Sequence, residues 1–193
     1  MKVKSAPMTA FKQILGEPTG TFEAIVSVFG NVDYAGDRVV KGAFAKSLDE
    51  WNSDGDEIPV IWSHQWQDPE MHIGGVQKAE ERDEGLWVQA QLDVDESATA
   101  AHVWRLLSKR RVREFSFAFD IPPGGQKRQN GANELLEVGL IEVGPTLKGM
   151  NPDTQLLDAK SRRAARAAKA AGGLYLPAGV RAAEKWCDPA YLD

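Results

Sequence analysis

The residues whose types and spacing suit covalent chemistry begin with a serine in the segment REFSFAFD. Phe115, Phe117 and Phe119 alternate there with smaller or polar residues, and the period of two in a β-strand places the three rings on one face. Ser116 is therefore predicted to lie on the opposite face beside Ala118, held rigidly by a strand whose rings are buried. This placement suits a nucleophile, and it equally suits a serine that only fills a narrow position on a strand.

Histidine-assisted chemistry has few candidates, because the chain contains three histidines, His64, His72 and His102. His64 ends the apolar run IPVIWSH and precedes the polar segment QWQDPE, so its imidazole is predicted to face a cleft at a strand end. An ordinary hydrogen-bonded surface position is the alternative for such a histidine. The three histidines match no common zinc-ligand spacing, and Cys187 is remote in sequence, so we predict neither a metal nor a cofactor.

A serine hydroxyl is a weak nucleophile at neutral pH, so a Ser–His pair needs a third group that fixes the imidazole tautomer and balances its positive charge. Glu137 is the predicted third group. It lies in NELLEVGLIEV, where a period of two places it with Leu135 and Ile141, and a carboxylate buried among apolar neighbours needs a partner. Glu142 and His72 remain alternatives, and either glutamate also suits a solvent-exposed edge strand.

The elements that must position these side chains are mostly strands. Six runs bounded by turn-forming residues predict strands: TFEAIVSVF, IPVIWSH, HIGGVQKAEE, GLWVQAQLDV, VREFSFAFDI and NELLEVGLIEV. The third and fourth are separated by ERDEG, which predicts a hairpin, and the Pro- and Gly-rich PPGGQKRQNG is expected to be a loop. Apolar spacing predicts helices over 43–51 and 97–111, the second with Ser97 as its cap and basic residues in its last turn.

The length of 193 residues and the hydrophobic content of 42% fit one domain with an appendage. We predict a body over residues 1–157. Residues 158–193 contain, from Lys160 onward, the Ala- and Arg-rich KSRRAARAAKAA, which lacks an apolar face and is predicted to be an exposed helix or a flexible tail. We assign this tail no catalytic role.

The charge balance bears on the class of partner. Lys and Arg total 23 against 28 Asp and Glu, a net charge of -5, so nucleic acid is not an expected partner. No run approaches the roughly 18 apolar residues that span a bilayer, and the opening segment has no apolar core, so neither membrane insertion nor secretion is expected. Cys187 alone forms no internal disulfide, and the chain is expected in the cytosol.

Several segments together resemble the prohead protease family of tailed phages. They are GNVDYAGDRVVKGAFAKSL, IPVIWSHQ followed by HIGGV, GLWVQAQL, EFSFAF and LLEVGLIEV, which occur in the family's order between residues 20 and 145. The D-x-x-G-D…K-G-A-F element is the most distinctive. In it, Asp33 and Gly36 are expected to form a turn, and Phe44 to pack the following helix.

The resemblance implies an α+β, mainly β fold similar to the herpesvirus assemblin proteases, a closed and largely antiparallel β-barrel flanked by helices. The family's histidine corresponds to His64, its serine to Ser116 and, by position, its acidic member to Glu137, whereas assemblins use a second histidine in this third role. Many relatives have a glycine near the serine where this chain has EFSFAF. The oxyanion hole is therefore unassigned, with a backbone N–H or a water held by Arg113 as candidates.

The implied function is a serine endopeptidase that processes scaffolding protein, or the scaffolding segment of the major capsid protein, and itself. It would act inside the immature capsid in the host cytoplasm, as a monomer or a homo-oligomer, and the tail after Asp158 would be a target of self-cleavage or a capsid-targeting element. One alternative is a non-catalytic capsid-assembly or scaffold-binding module of the same fold. Another is an unrelated β-barrel binding protein.

Overall fold

The computed structural model describes residues 2–6, by their backbone, and residues 20–150. The elements in these ranges are β1 (Lys2–Ala6), β2 (Thr21–Val28), β3 (Asp37–Val39), α1 (Ala45–Asp54), β4 (Ile58–Ile61), β5 (His72–Glu81), β6 (Gly85–Leu92), α2 (Ala98–Ser108), β7 (Glu114–Asp120), β8 (Gln126–Gln129), β9 (Ala132–Leu135) and β10 (Gly139–Thr146). The predicted tail over 158–193, with its boundary at 157, lies outside the described residues.

The strands form two sheets. A seven-stranded sheet has the order β1-β7-β10-β4-β5-β6-β2, and a three-stranded sheet has the order β3-β9-β8. In the larger sheet every pairing is antiparallel except that of β4 with β10. The mainly β prediction is confirmed, but the predicted closed barrel is wrong: the larger sheet is a curled half-barrel, and β1 and β2 are its edges among the described strands. Strand patterns in a sequence do not specify whether the two edge strands hydrogen-bond to each other, and closure depends on that ladder.

The core is built on the aromatic face of β7. Phe115, Phe117 and Phe119 are fully buried, and Phe117 contacts both Phe119, with ring centroids 5.1 Å apart, and Phe44, at 5.2 Å. Each such buried ring stabilises the fold by roughly 1.5–3 kcal/mol. The period-two prediction for this strand is therefore confirmed, and the same alternation directs Ser116 to the other face.

The predicted helices are present with shifted ends. Helix α1 spans Ala45–Asp54 instead of 43–51, and α2 spans Ala98–Ser108 instead of 97–111. The predicted cap of α2 is confirmed, because the Ser97 hydroxyl accepts a hydrogen bond of 3.1 Å from the Ala100 N–H. The β5–β6 hairpin is also confirmed. In the part of the chain that the structure describes, no helix is long and apolar enough to cross a bilayer.

The run NELLEVGLIEV is two strands, not the single strand predicted. Its first part is in β9 and its last part in β10, which belong to different sheets. Between them, Leu136 and Glu137 both donate their N–H groups to the Gly125 carbonyl, and Val138 donates to Ala43, so this backbone is satisfied by loops rather than by a ladder. The segment predicted as a loop between strands contains β8.

The D-x-x-G-D element forms the predicted turn. The Asp33 carboxylate accepts hydrogen bonds from the N–H groups of Ala35 and Asp37, at 3.0 and 2.9 Å. Gly36, in the left-handed region with φ 80°, donates to the Asp33 carbonyl at 2.9 Å. The turn leads into β3, which the sequence did not predict, and from there into the start of α1.

The start of α1 is held by a carboxylate from β5. Phe44 occupies the N-cap position and offers no side-chain cap. Instead the two oxygens of Glu81 accept the N–H groups of Gly42, at 2.7 Å, and Phe44, at 2.9 Å. A negative charge there also opposes the positive end of the helix dipole.

Replacing Glu81 with alanine tests this cap. We expect Glu81→Ala to lower the free energy of unfolding by about 1–3 kcal/mol, because two backbone donors lose a charged acceptor. Glu80→Ala is the matched control, since Glu80 pairs with Arg82 on the exposed surface. Urea unfolding measures both variants, and equal losses would contradict this role of Glu81.

Candidate active site

His64 lies beyond the end of β4, in a strained turn. The strand ends at Ile61, and Trp62–His64 form one 3-10 turn. Both Ser63, with φ 49°, and His64, with φ 60°, occupy the left-handed region that residues with a Cβ rarely adopt. The prediction that the strand continues to His64 is therefore wrong. Strain of this kind persists where surrounding contacts enforce it, and it concentrates at functional sites.

The turn reaches the sheet face that carries Ser116 because β4 passes very close to β10. Gly144 of β10 is paired with Ser116 of β7, and a Cβ on Gly144 would lie only 1.8 Å from the Ile61 carbonyl oxygen. Any other residue at this position would obstruct the chain leaving β4. Gly144 thus lets the backbone cross β10 directly beside Ser116, and the next three residues deliver His64.

Two side chains of β10 hold the turn in place. Glu142 and Thr146 flank Gly144 at two-residue spacing, so they share its face of the strand. The Ser63 hydroxyl lies 3.4 Å from the Thr146 hydroxyl. His64 Nδ1 makes a short hydrogen bond to Glu142 Oε1.

A β-bulge puts Glu142 on this face. The β7–β10 register pairs Leu140 with Phe119 and then Glu142 with Ala118, so Ile141 is an extra residue. The extra residue reverses the alternation: Leu140 packs in the core with the phenylalanine rings, whereas Glu142 shares the outer face with Ser116. Without the bulge, a period of two would place Leu140 and Glu142 on the same face of the strand. The extra residue places them on opposite faces.

Ser116 and the His64–Glu142 pair therefore occupy one face of adjacent strands. Ser116 is paired with Gly144, and Glu142 lies two residue pairs further along, about 7 Å away along the strand. The Ser116 residue is 1% exposed and the His64 side chain 13% exposed. His64 Nε2 is buried and has no hydrogen-bond partner among the described residues, so it is not bonded to the serine hydroxyl.

The electrostatics of the site centre on Glu142, which is fully buried. Burial raises the pKa of this carboxyl above its ordinary value of 4.5, while the hydrogen bond from His64 and the charges of His64 and His72 partly oppose the rise. Its Oε2 atom has no partner in the described ranges. An ionised Glu142 thus depends on a nearby positive charge, which an imidazolium at His64 supplies.

The other predicted residues lie elsewhere. Glu137 receives a hydrogen bond of 2.9 Å from Lys46 on the surface, and its side chain is 41% exposed, so it is not brought to His64. His72 is exposed at the start of β5, and Arg113 is exposed just before β7. The described residues contain no group of three or more His, Cys, Asp or Glu side chains arranged to hold a metal ion.

The described fold is shared with a phage protease of known structure. The chain resembles the capsid assembly protease gp21 of bacteriophage T4 with a TM-score of 0.54 and 10% sequence identity, over 76% of this chain and 96% of that one. No curated protein matches the chain.

The sequence itself identifies the family. The family model of caudovirus prohead serine proteases matches residues 9–169. The chain therefore belongs to this family of proteases, as its segments had suggested.

Enlarging Gly144 tests the crossing. We expect Gly144→Val to lose most activity and to lower the midpoint of urea unfolding, because its Cβ overlaps the Ile61 carbonyl. Gly139→Val is the control, since a Cβ there meets only the Asp120 carbonyl, at 3.9 Å. If the two variants behave alike, Gly144 does not position the turn.

The pH dependence of stability tests the burial of Glu142. Because the folded chain holds this proton to a higher pH than the unfolded chain, the contribution of Glu142 to wild-type stability falls as pH rises from about 4.5 through the raised pKa, and is then constant. Glu142→Gln lacks this titration. We expect its melting temperature relative to wild type to increase by a few degrees across that window and to stay level above it.

Thermal unfolding of both proteins at a series of pH values measures the difference. The surface variant Glu137→Gln serves as the control, and its difference from wild type should not follow the same curve. A Glu142→Gln difference that shrinks with rising pH would show that the ionised carboxylate is stabilised, not penalised, in the folded chain.

Proposed function

We propose that this protein hydrolyses peptide bonds through an acyl-enzyme, with Ser116 as nucleophile and His64 as general base. Glu142 orients the imidazole of His64 and balances its positive charge. The observation that carries the proposal is the hydrogen bond between His64 Nδ1 and the buried Glu142, on the sheet face of Ser116. Glu142 takes the role that the sequence alone had assigned to Glu137.

The bond at Nδ1 determines what the imidazole does. When Nδ1–H donates to the Glu142 carboxylate, Nε2 carries the lone pair and is the atom that accepts a proton. As Ser116 Oγ attacks the scissile carbonyl, its proton passes to Nε2, and the imidazolium that forms is balanced by the carboxylate. The imidazolium then protonates the leaving amine, and water hydrolyses the acyl-enzyme by the same route in reverse.

The Ser116–His64 hydrogen bond is the contact that substrate binding must complete. Catalytic hydrogen bonds are often long or absent before substrate binds and tighten in the Michaelis complex. Ser116 lies on an interior strand, whereas His64 is in a turn of left-handed residues. We infer that the turn supplies the movement.

The proposed substrates are scaffolding protein or the scaffolding segment of the major capsid protein, and the protease itself, inside the immature capsid. Membership of the prohead protease family supports this, and so does the fold shared with a phage capsid assembly protease. A non-catalytic assembly module of the same fold is disfavoured by Glu142. Burying a carboxylate against a histidine costs free energy, and binding alone does not require such a pair.

Co-expression with the cognate major capsid and scaffolding proteins tests the proposal. We expect wild type to process them, Ser116→Ala and His64→Ala to leave them intact, and Glu142→Gln to cut the rate by roughly 10²–10⁴-fold because the imidazole loses its orienting charge. The surface variant Glu137→Gln should process normally.

Labelling with a fluorophosphonate separates catalysis from assembly effects. The reagent should modify Ser116 in wild type, and only slowly in His64→Ala. Equal processing by wild type and Ser116→Ala would falsify the proposal, and failure of Glu142→Gln to differ from Glu137→Gln would remove Glu142 from it.

A further inference from the structure

A group of exposed basic side chains lies at the end of the sheet where β7 begins. We call it the basic edge and define it as Lys109, Arg111, Arg113 and Lys148. Within residues 20–150, none of the four forms an ion pair, although acidic residues outnumber basic ones in the chain by 28 to 23. Unpaired cations concentrated at one place on an acidic protein indicate a surface that meets an acidic partner.

The end of helix α2 presents the first members of the basic edge. Arg110 N–H donates to the Leu107 carbonyl and Arg111 N–H to the Leu106 carbonyl, both at 2.8 Å, which is the Schellman pattern of helix termination. The left-handed position of this motif, usually glycine, is occupied here by Arg110 with φ 55°. A side chain at this position costs about 1 kcal/mol or more relative to glycine. The turn leaves Lys109 and Arg111, on either side of Arg110, exposed.

Strand pairing brings Lys148 to the same place. Thr146, the last residue of β10, is paired with Glu114, the first residue of β7. The Gly149 N–H donates to the Glu114 carboxylate at 2.5 Å and holds the segment after β10 against the start of β7. Lys148 and Arg113 therefore extend from neighbouring strands at one end of the sheet.

The basic edge is within a short peptide's reach of Ser116. Arg113 precedes Ser116 by three residues, about 10 Å along an extended chain. An extended peptide also advances about 3.3 Å per residue, so one that runs from Ser116 toward the start of β7 covers this distance in three or four residues.

Helix electrostatics do not account for the whole group. Cations in the last turn of a helix favour its dipole, which explains Lys109. Arg113 and Lys148 belong to strand ends, where no such field acts.

We propose that the basic edge binds an acidic segment of the polypeptide substrate, a few residues from the bond that is cut. The identification of the occupant as substrate rests on the proposed function. A polypeptide fits better than nucleic acid because a duplex would also lie against the acidic remainder of the surface, whereas an acidic segment of a few residues touches the basic edge alone.

Binding to the Ser116→Ala protein tests this directly. The probe is a fluorescein-labelled ten-residue peptide of alternating Glu and Ala, with an alternating Gln and Ala peptide as its neutral match. We expect the acidic peptide to bind, more weakly as salt is raised, and the neutral peptide to bind at least tenfold more weakly. Adding Lys109→Gln, Arg111→Gln and Lys148→Gln should weaken acidic-peptide binding at least tenfold.

The matched control removes three other exposed cations, Lys78, Lys127 and Arg128, of β5 and β8. Equal weakening by the two triple variants, or equal binding of the two peptides, would overturn the proposal. A 20-base-pair DNA duplex that bound more tightly than the acidic peptide, and whose binding was lost in the basic-edge variant, would also overturn the proposal.

Fluorophosphonate labelling keeps this result separate from the proposed function. In the basic-edge variant with Ser116 retained, labelling should match wild type, because the reagent carries no acidic segment. Absence of labelling in wild type would remove the proposed chemistry but leave acidic-peptide binding as measured. Normal labelling without acidic-peptide binding would remove only the basic edge.

Discussion

The close approach of β4 to β10 at Gly144 is the contact on which the site depends. It occurs at the parallel pairing of β4 with β10, between Val60 and Val143, whereas the other described pairings of the larger sheet are antiparallel. Two parallel neighbours end at the same side of a sheet, so the chain leaving β4 must continue past the end of β10 or across it. With no side chain at Gly144 it crosses. The three-residue turn that follows places the imidazole of His64 against Glu142, on the sheet face of Ser116. A bulge in the same strand then turns Glu142 toward that imidazole. The strand order, the glycine and the extra residue together bring His64 and Glu142 to the face of Ser116.

Stability and chemistry make opposite demands on Glu142. A carboxyl in a dry interior favours its neutral form, whereas the proposed chemistry requires the ionised form beside an imidazolium. Burial strengthens the attraction between the Glu142 carboxylate and the His64 imidazolium. The hydrogen bond to His64 also limits the rise in the pKa of Glu142. Burying Glu142 costs free energy. The aromatic rings packed on the other face of the sheet offset this cost by their hydrophobic burial.

Local patterns in the sequence predicted the local structure well. Alternating phenylalanines located the face of Ser116, Ser97 located a helix start, and the D-x-x-G-D motif located a turn, because each depends on residues only a few positions apart. What failed depended on the partner strand: the closure of the sheet, the division of NELLEVGLIEV and the bulge at Ile141. Glu142 contacts His64 and Glu137 does not, and the sequence could not show this, since an extra residue in one strand is visible only against the register of its neighbour. Gly144, a glycine inside a strand pattern, is a signal in the sequence of close backbone approach.

The alternation of rings and small side chains on β7 also links correct folding to activity. Because neighbouring residues point to opposite faces, a slip of the strand by one position would turn Ser116 into the interior and expose three phenylalanine rings on the outside. No register lies between these two, so no chain has partial activity at Ser116. The chains divide into active molecules and inactive molecules whose exposed rings adhere to other proteins. Under the proposed function, this makes catalytic competence all-or-none, and the incompetent form is recognisable by its exposed aromatic surface.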